Sequence, residues 1–459
     1  MKYKVYTNKM NKILRAAENK YYAKQFELFK SNTKQTGQTI KYILHNNDAT
    51  QLTDSFKISN KDITDEHEIA KKFNEYCVNV GPSLSNKISN CSDRYNSYIS
   101  GNYKDSFLLT PACPDEVINI VNAMLAKRSS GYGISVDTMK LAIPYVVLPI
   151  TNIINNSFCT DLVPDDLKIA KVCPEYKNID RAEISNYRPI LFFQVSLRYL
   201  KKLVCNRLLS YLANHSILYG GQYGFRSNHD TTMAVIDMVD KITAAMDSNS
   251  YSLGIFVDLS KAFDTLNHTI MLDKLKHYGI RGIALDWLSS YLTNRCQYEE
   301  YHGTKSNLLN ITCGVLEGSV LGPVIFLVYI NDIVNVSRVL QLILFADDTN
   351  IFLSDTNIDI LMSIANRELV LIANWFVVNK LSLNVTKTMS IIFCNSGKRC
   401  TKTQVKLRLN GDAIEPVCSV KFLGVYIDER LSWDNHIQQV ASKLSKNIGI
   451  LTKLKYTVP

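Results

Sequence analysis

Two apolar segments of this chain run directly into aspartates. Ser252–Val257 (SLGIFV) ends on Asp258, and Leu342–Ala346 (LILFA) ends on Asp347-Asp348, after which Ile351-Phe352-Leu353 resumes. Short apolar runs bounded by turn residues read as buried strands, so the second pair predicts a β-hairpin whose turn carries two carboxylates. A carboxylate at the end of an apolar strand is costly to desolvate, and adjacent aspartates repel each other. Divalent cations remove both costs. Hard oxygen ligands suit Mg²⁺, which keeps several waters and takes one or two carboxylates together with substrate phosphates. Two such ions ~3.5–4 Å apart stabilise both the attacking and the leaving oxygen of an in-line phosphoryl displacement. The competing reading is ordinary turn chemistry, in which Asp is common. The setting between two apolar strands, downstream of the run FVDLSKAFD that starts at Phe256, favours the metal.

The rest of the chain supplies a core large enough to hold such a site. Of its 459 residues, 46% are hydrophobic and 20% charged, which excludes wholesale disorder. The length alone allows about three domains at ~150 residues each. Eleven cysteines spread from Cys77 to Cys418 with no C-x-x-C pair. That argues against a zinc ribbon and against a small disulfide framework, and suits a reducing compartment. The N-terminal MKYKVYTNKMNK lacks the apolar centre of a signal peptide, and no apolar run reaches ~18 residues. A soluble intracellular protein is therefore expected, in nucleus and/or cytoplasm, neither secreted nor membrane-bound. The net charge of +10 is unevenly spread. Residues 1–41 hold ten Lys/Arg and two acids, residues 429–459 five and two, and the stretch between them 37 bases and 38 acids. A near-neutral body with basic ends fits a polyanion gripped at its edges; a solvated helix surface plus a solvated tail is the plainer reading.

Periodicity gives a coarse map. Leu14, Ala17, Tyr21 and Leu28 keep a three-to-four spacing among lysines and predict a first helix. His45 to Asp65 is polar and reads as a loop. A second amphipathic helix carries Ile69, Phe73, Tyr76 and Val80 and is expected to stop at Gly81-Pro82. Thr110-Pro111 and Pro114 open a third, with Val117, Val121 and Met124 inward. Farther on, helices are expected over 270–278, 283–292 and 362–378, and strands over 389–393 and 420–427. There is no internal repeat. The alternation is irregular, which favours α+β over a doubly wound sheet.

Several segments together resemble one family. Phe256–Thr265 (FVDLSKAFDT) resembles motif A of reverse transcriptases, and Phe345–Asp348 (FADD) resembles their motif C. Asn186–Ile190 (NYRPI) and Gln222–Arg226 (QYGFR), with Thr231-Thr232 following, resemble fingers motifs. Gly314–Pro323 (GVLEGSVLGP) resembles motif B, Leu381–Thr388 (LSLNVTKT) motif D, and Val420–Val425 (VKFLGV) the primer-grip region. Order and spacing are similar to the polymerases of non-LTR retrotransposons, the Jockey-like branch in particular. The helices at 11–30 and 66–80 resemble the segment that joins endonuclease to polymerase in those elements.

The resemblance implies an α+β right-hand polymerase: a basic helical extension over 1–100, fingers over 101–250, palm over 251–428 and the start of a truncated thumb over 429–459. It implies an RNA-directed DNA polymerase that joins a dNTP to a primer 3′-hydroxyl on an RNA template, with nicked target DNA as the primer. Asp258, Asp347 and Asp348 would hold two Mg²⁺ ions, with Mn²⁺ as a substitute. Lys387 would lie near the leaving pyrophosphate as an acid, and a solvated lysine is the alternative. Phe263 would lie beneath the sugar and exclude a 2′-hydroxyl, or serve as a core aromatic. Lys177 and Arg188 would clamp the triphosphate, the arginine by its fork and the lysine as a point charge; a surface ion pair is the alternative for Arg188. Gly318 would face the nucleotide. Gln222, Phe225, Arg226, Gly314, Glu317, Gly322, Phe422 and Gly424 would line template and primer, Phe422 having a core role as its alternative. Gly314, Gly318 and Gly322 recur every four residues, a spacing that leaves a helix-start face open to a base pair. Plain turn chemistry is the other reading of Gly318 and Gly322.

The chain also departs from the family pattern. Leu316-Glu317-Gly318 stands where motif B usually has Pro-Gln-Gly, exchanging a two-way hydrogen-bonding amide for an acceptor-only anion. Gly131-Tyr132-Gly133-Ile134 is one residue short of the usual G-x-D-G-I. Asn178-Ile179-Asp180 replaces Lys-x-Gly-Asp after Lys177, and Leu191–Ser196 (LFFQVS) lacks a common proline. A decayed relic that only binds nucleic acid is therefore the alternative to an active enzyme. The endonuclease domain is expected to be missing, and the chain to be a fragment of a longer open reading frame.

Overall fold

The strand expected at 252–257 forms as β1, Tyr251–Val257, and the surroundings of the aspartates are built on it. A computed structural model of the chain describes residues 2–44, 55–58, 61–88, 94–124, 134–177, 180–192, 195–315, 319–395, 397 and 406–455. The chain divides into two units: Asp54–Gly424 with Glu429–Leu431, and Met1–Thr53 with Val425–Asp428 and Ser432–Pro459.

In the larger unit, β1 is central to a five-stranded sheet. With β2 (Gln341–Phe345), β3 (Asp348–Asp355), β4 (Met389–Phe393) and β5 (Glu415–Pro416), the order is β5-β4-β1-β3-β2. β1 is antiparallel to both neighbours, Val257 pairing with Thr349 and Phe256 with Met389. β2 and β3 form the expected hairpin, closed by the pair Phe345 and Asp348. β1 is buried along almost its whole length, as its unbroken apolar run requires. Helices Thr231–Asp247 and Ile358–Val378 pack on this sheet. The latter buries Leu361, Leu369, Ile372, Trp375 and Phe376. Helix His268–His277 packs against helices Ile283–Leu292 and Gly322–Ile330, and a fully buried ion pair, Lys274 Nζ to Asp332 Oδ1 at 2.7 Å, ties it to the turn Asn331–Asn335 that follows the latter.

A second sheet is centred on Ile169–Tyr176, antiparallel to Tyr187–Phe192 and parallel to Arg295–Tyr301. Helix Glu66–Lys87 lies on Arg295–Tyr301, where Asn74 Nδ2 donates to the carbonyls of Gln297 and Asn307 and to Ser306 Oγ. This helix does not stop at Gly81-Pro82 as expected; it runs through both to Lys87. A Cβ at Gly81 would lie 2.1 Å from the Asp264 carbonyl oxygen, so glycine here serves close packing and not termination. The expected loop at 45–65 also needs correction. It contains a hairpin, Phe56–Ile58 with Lys61–Ile63, and Phe56 is fully buried among Phe73, Tyr187 and Tyr301. The strand expected over 420–427 is broken by positive φ at Leu423 and Gly424.

In the smaller unit, helix Lys2–Leu28 confirms the first predicted helix, but its stripe is not buried: Leu14, Tyr21 and Leu28 are exposed and Tyr22 is covered instead. Helix Asp434–Leu454 leaves Ile437, Leu444, Ile448 and Leu451 exposed. Asp428 organises its entry, accepting from the backbone N–H of Ser432 and Trp433, each at 3.0 Å.

Two details qualify the compositional reading. Helices Val136–Cys159 and Ile358–Val378 reach the length and mean hydropathy of a membrane span, and each has one face in the protein core. Among the described cysteines eight are free thiols, and Cys394 is disulfide-bonded.

Candidate active site

Strand register brings the three aspartates together. The last pair between β1 and β3 is Val257 with Thr349, so the next position outward on each strand is Asp258 and Asp348. Asp347 sits beside them in the two-residue turn Ala346-Asp347. Ala346 has φ +56°, a conformation costing an L-residue about 1–2 kcal/mol. Surrounding protein and then the charges of Asp347 and Asp258 push the Asp348 carboxyl up to about 6, although the residue as a whole is exposed. Like charges crowded on hard oxygens at the ends of neighbouring strands are what a divalent cation relieves. Among the described residues, no three His, Cys, Asp or Glu side chains form a closed metal-ligand cluster. That is compatible with an ion held by one or two carboxylates and substrate phosphates, so the donor set fits Mg²⁺.

Asp258 is held on three sides by the segment 382–388. Its backbone carbonyl accepts from Asn384 N–H at 2.9 Å and its own N–H donates to Thr388 Oγ1 at 3.3 Å. Its Oδ2 accepts from Asn384 Nδ2 at 2.7 Å. A one-pair bridge, Leu259 with Leu383, and the bond from Ser260 N–H to Ser382 carbonyl at 2.8 Å continue the zipper. Asn384 and Thr388 stand in the LSLNVTKT run, but a neutral amide beside a lysine carries no charge signal, so the sequence points to Lys387 instead. Lys387 is exposed, and its N–H donates to the Asn384 carbonyl at 3.1 Å.

The QYGFR segment has a different place from the one expected. Gln222 is 1% exposed, which removes it from any nucleic-acid surface. Its Oε1 accepts from Gly224 N–H at 2.8 Å and from Ala346 N–H at 3.1 Å, so it braces the aspartate turn from beneath. Tyr223 N–H donates to Leu344 carbonyl, and Leu344 N–H to Gly221 carbonyl, each at 2.8 Å, adding a short bridge to β2. Arg226 turns inward, Nη1 donating to the carbonyls of Tyr219 and Gln222 at 2.9 and 3.0 Å. Phe225 is half exposed, with φ +53°.

The motif-B glycines also pack against protein. Gly314 has φ +81°, and a Cβ there would lie 2.6 Å from the Asp264 carbonyl oxygen. Its carbonyl lies 2.8 Å from His268 Nε2. Gly322 is buried at the start of helix Gly322–Ile330, its N–H donating to Ser319 Oγ at 3.0 Å. Both are thus occupied by protein contacts, not by the open face expected from their spacing. Leu316, Glu317 and Gly318 lie outside the described residues.

Phe263 is half-buried and stacks on Phe326 with centroids 4.6 Å apart, while its carbonyl accepts from Val315 N–H at 2.8 Å. Phe422 is 3% exposed and packs on Phe256, so its core alternative holds and a direct primer contact does not. Gly424, at φ +94°, lies open: a Cβ there would meet no atom within 4 Å. Lys177 is exposed after strand Ile169–Tyr176, its N–H donating to Asn186 carbonyl at 3.0 Å. The backbone of Arg188 pairs with Glu175; its side chain lies outside the described residues.

Comparison with known proteins gives the family. Residues 177–427 match the family described as reverse transcriptase (RNA-dependent DNA polymerase). The chain is 25% identical over 366 residues to the RNA-directed DNA polymerase from mobile element jockey of Drosophila melanogaster, covering 78% of this chain and 39% of that protein. It is also 25% identical over 351 residues to the probable RNA-directed DNA polymerase from transposon X-element of the same organism, covering 74% and 38%. The probable RNA-directed DNA polymerase from transposon BS, again of Drosophila melanogaster, gives 25% over 348 residues, 72% and 37%. The chain thus spans less than two fifths of the length of these relatives. It belongs to the reverse transcriptase family, and with it takes a right-hand polymerase fold of mixed helix and sheet.

Proposed function

We propose that this chain is the polymerase portion of a non-LTR retrotransposon reverse transcriptase that copies an RNA template into DNA. The observation that carries the reading is the placement of Asp258 and Asp348 one position beyond the last β1–β3 pair, with Asp347 in the turn between β2 and β3. The reaction is attack of a primer 3′-hydroxyl on the α-phosphate of a dNTP, with pyrophosphate leaving. Mg²⁺ held by the three aspartates would supply charge neutralisation at the attacking and leaving oxygens. The chain's own part is orientation. Gln222 fixes the aspartate turn, Asn384 and Thr388 fix Asp258, and the stack on Phe326 fixes Phe263 as a floor for the sugar. Lys177 and Arg188 supply positive charge toward the triphosphate, and Lys387 toward the leaving group. In this reading fingers run over 101–250, palm over 251–428 and thumb from 429, with RNA template and DNA primer as partners inside the cell.

Extension of an oligo(dT) primer on poly(rA) with Mg²⁺ tests the proposal. Asp347→Ala should slow it about a thousandfold, the loss of ~4 kcal/mol of transition-state stabilisation. An unchanged rate would remove the metal assignment. A second reading, binding without synthesis, is favoured by Leu316-Glu317 in place of Pro-Gln. Salt-sensitive primer–template binding with no extension, and synthesis restored by Leu316→Pro with Glu317→Gln, would establish it.

A further inference from the structure

We infer that Asn384 is a positioning residue: its amide fixes which oxygen of Asp258 is left for a divalent cation. The inference rests on the polymerase reading above. Three observations carry it. Asn384 Nδ2 donates to Asp258 Oδ2 at 2.7 Å, within the short range of charge-assisted bonds. The amide cannot flip without loss, because its Oδ1 already accepts from Thr386 Oγ1 at 2.8 Å; a flipped amide would set two acceptors against each other. Asn384 is itself anchored, since its N–H donates to the Asp258 carbonyl at 2.9 Å, and its carbonyl accepts from Thr388 Oγ1 and N–H, each at 3.0 Å.

The consequence is a division of labour within one carboxylate. Oδ2 is engaged by the amide, the backbone on both sides of Asp258 is tied to the same loop, and Oδ1 is the oxygen left to face a cation. Partners that orient a ligand in this way are usually worth 10–100-fold in metal affinity. Thr386 belongs to the same device one bond farther out. It is exposed, so its role is not a matter of core packing.

Mn²⁺ binding to the whole chain, without nucleic acid or nucleotide, reads this directly by electron paramagnetic resonance of the free ion. Asn384→Leu should weaken binding about 10–100-fold, and Thr386→Val should weaken it in the same direction by less than about tenfold. Circular dichroism and Tm establish that each variant is folded. Should Asn384→Leu not fold, Thr386→Val carries the test. Affinity within twofold of the parent in both variants, where Asp258→Ala abolishes binding, overturns the role of Asn384 and leaves the metal site standing. Undiminished binding by Asp258→Ala overturns the metal reading itself, and this inference with it.

Discussion

Gln222 Oε1 accepts a hydrogen bond from the backbone N–H of Ala346 at 3.1 Å, across 124 residues of sequence. The same oxygen accepts from Gly224 N–H, and the side chain is buried, so both N–H groups depend on it for satisfaction. A buried donor left unpaired costs about 1–3 kcal/mol. Gln222→Leu should therefore lower stability by a few kcal/mol, and reduce the rate of primer extension at least tenfold by releasing the turn that carries Asp347. Urea unfolding and single-turnover kinetics check the two parts. Ala346→Gly, which suits φ +56°, should be tolerated better than Ala346→Val.

The legible parts of the site were those with a charge or an unbroken apolar run. Asp258 and Asp347-Asp348 stood out because acids interrupt strands, and β1 to β4 fell where apolar segments predicted them. What escaped were neutral polar residues whose meaning depends on a distant partner. Gln222 looked like a contact for nucleic acid, and nothing local says that it lies under Ala346. Gly81 and Gly314 looked like a helix stop and an open face, yet both meet the backbone of Asp264, which no spacing rule can anticipate. Phe422 offered equal grounds for core and for surface, and burial against Phe256 decided it.

A crowded glycine gives a second prediction. A methyl at position 81 would lie 2.1 Å from the Asp264 carbonyl and 2.7 Å from Cys313 Sγ. Overpacking of this kind costs about 1–3 kcal/mol. Gly81→Ala should lower Tm, whereas Gly37→Ala, with nothing within 4 Å, should leave it unchanged or raise it. Because Asp264 follows Phe263, Gly81→Ala should also raise the KM for dNTP in primer extension.

The buried pair of Lys274 and Asp332 gives a third. Both side chains are fully buried; Lys274 Nζ also donates to Tyr329 carbonyl at 2.6 Å and faces the rings of Tyr329 and Trp375. Removing one partner strands a charge, so Lys274→Met should cost about 3–5 kcal/mol. The double variant Lys274→Met, Asp332→Leu should recover much of that loss. Urea unfolding of the two variants would show it, and equal losses in both would contradict it.

Glu299 gives a pH dependence. It is fully buried, neither carboxyl oxygen has a hydrogen-bond partner among the described residues, and burial pushes its pKa up to about 8. In the unfolded chain it titrates near 4.5. Between those values the native state keeps a proton that the unfolded state has released, so unfolding is increasingly favoured as pH rises. The contribution of this group is fully present below the unfolded pKa and is lost as pH climbs through the folded one, at up to ~1.4 kcal/mol per pH unit. Glu299→Gln should flatten the stability profile between about pH 5 and pH 8, measured by urea unfolding at several pH values.

The basic N-terminal segment makes the last prediction, and it separates two readings of the same charge. Residues 1–41 hold ten Lys/Arg against two acids, and helix Lys2–Leu28 is exposed along nearly its whole length. A merely solvated surface would add solubility and little else. A surface that grips a polyanion releases counterions, and each duplex-DNA phosphate neutralised adds ~0.9 to the slope of log K against log salt. Deleting residues 1–41 should therefore make that slope shallower by several contacts and weaken binding at low salt, while leaving the rate of the chemical step near that of the full chain. Titrations of a labelled primer–template between about 50 and 200 mM salt measure the slope. If it is the same with and without the segment, the lysines serve solvation alone and the grip lies elsewhere on the chain.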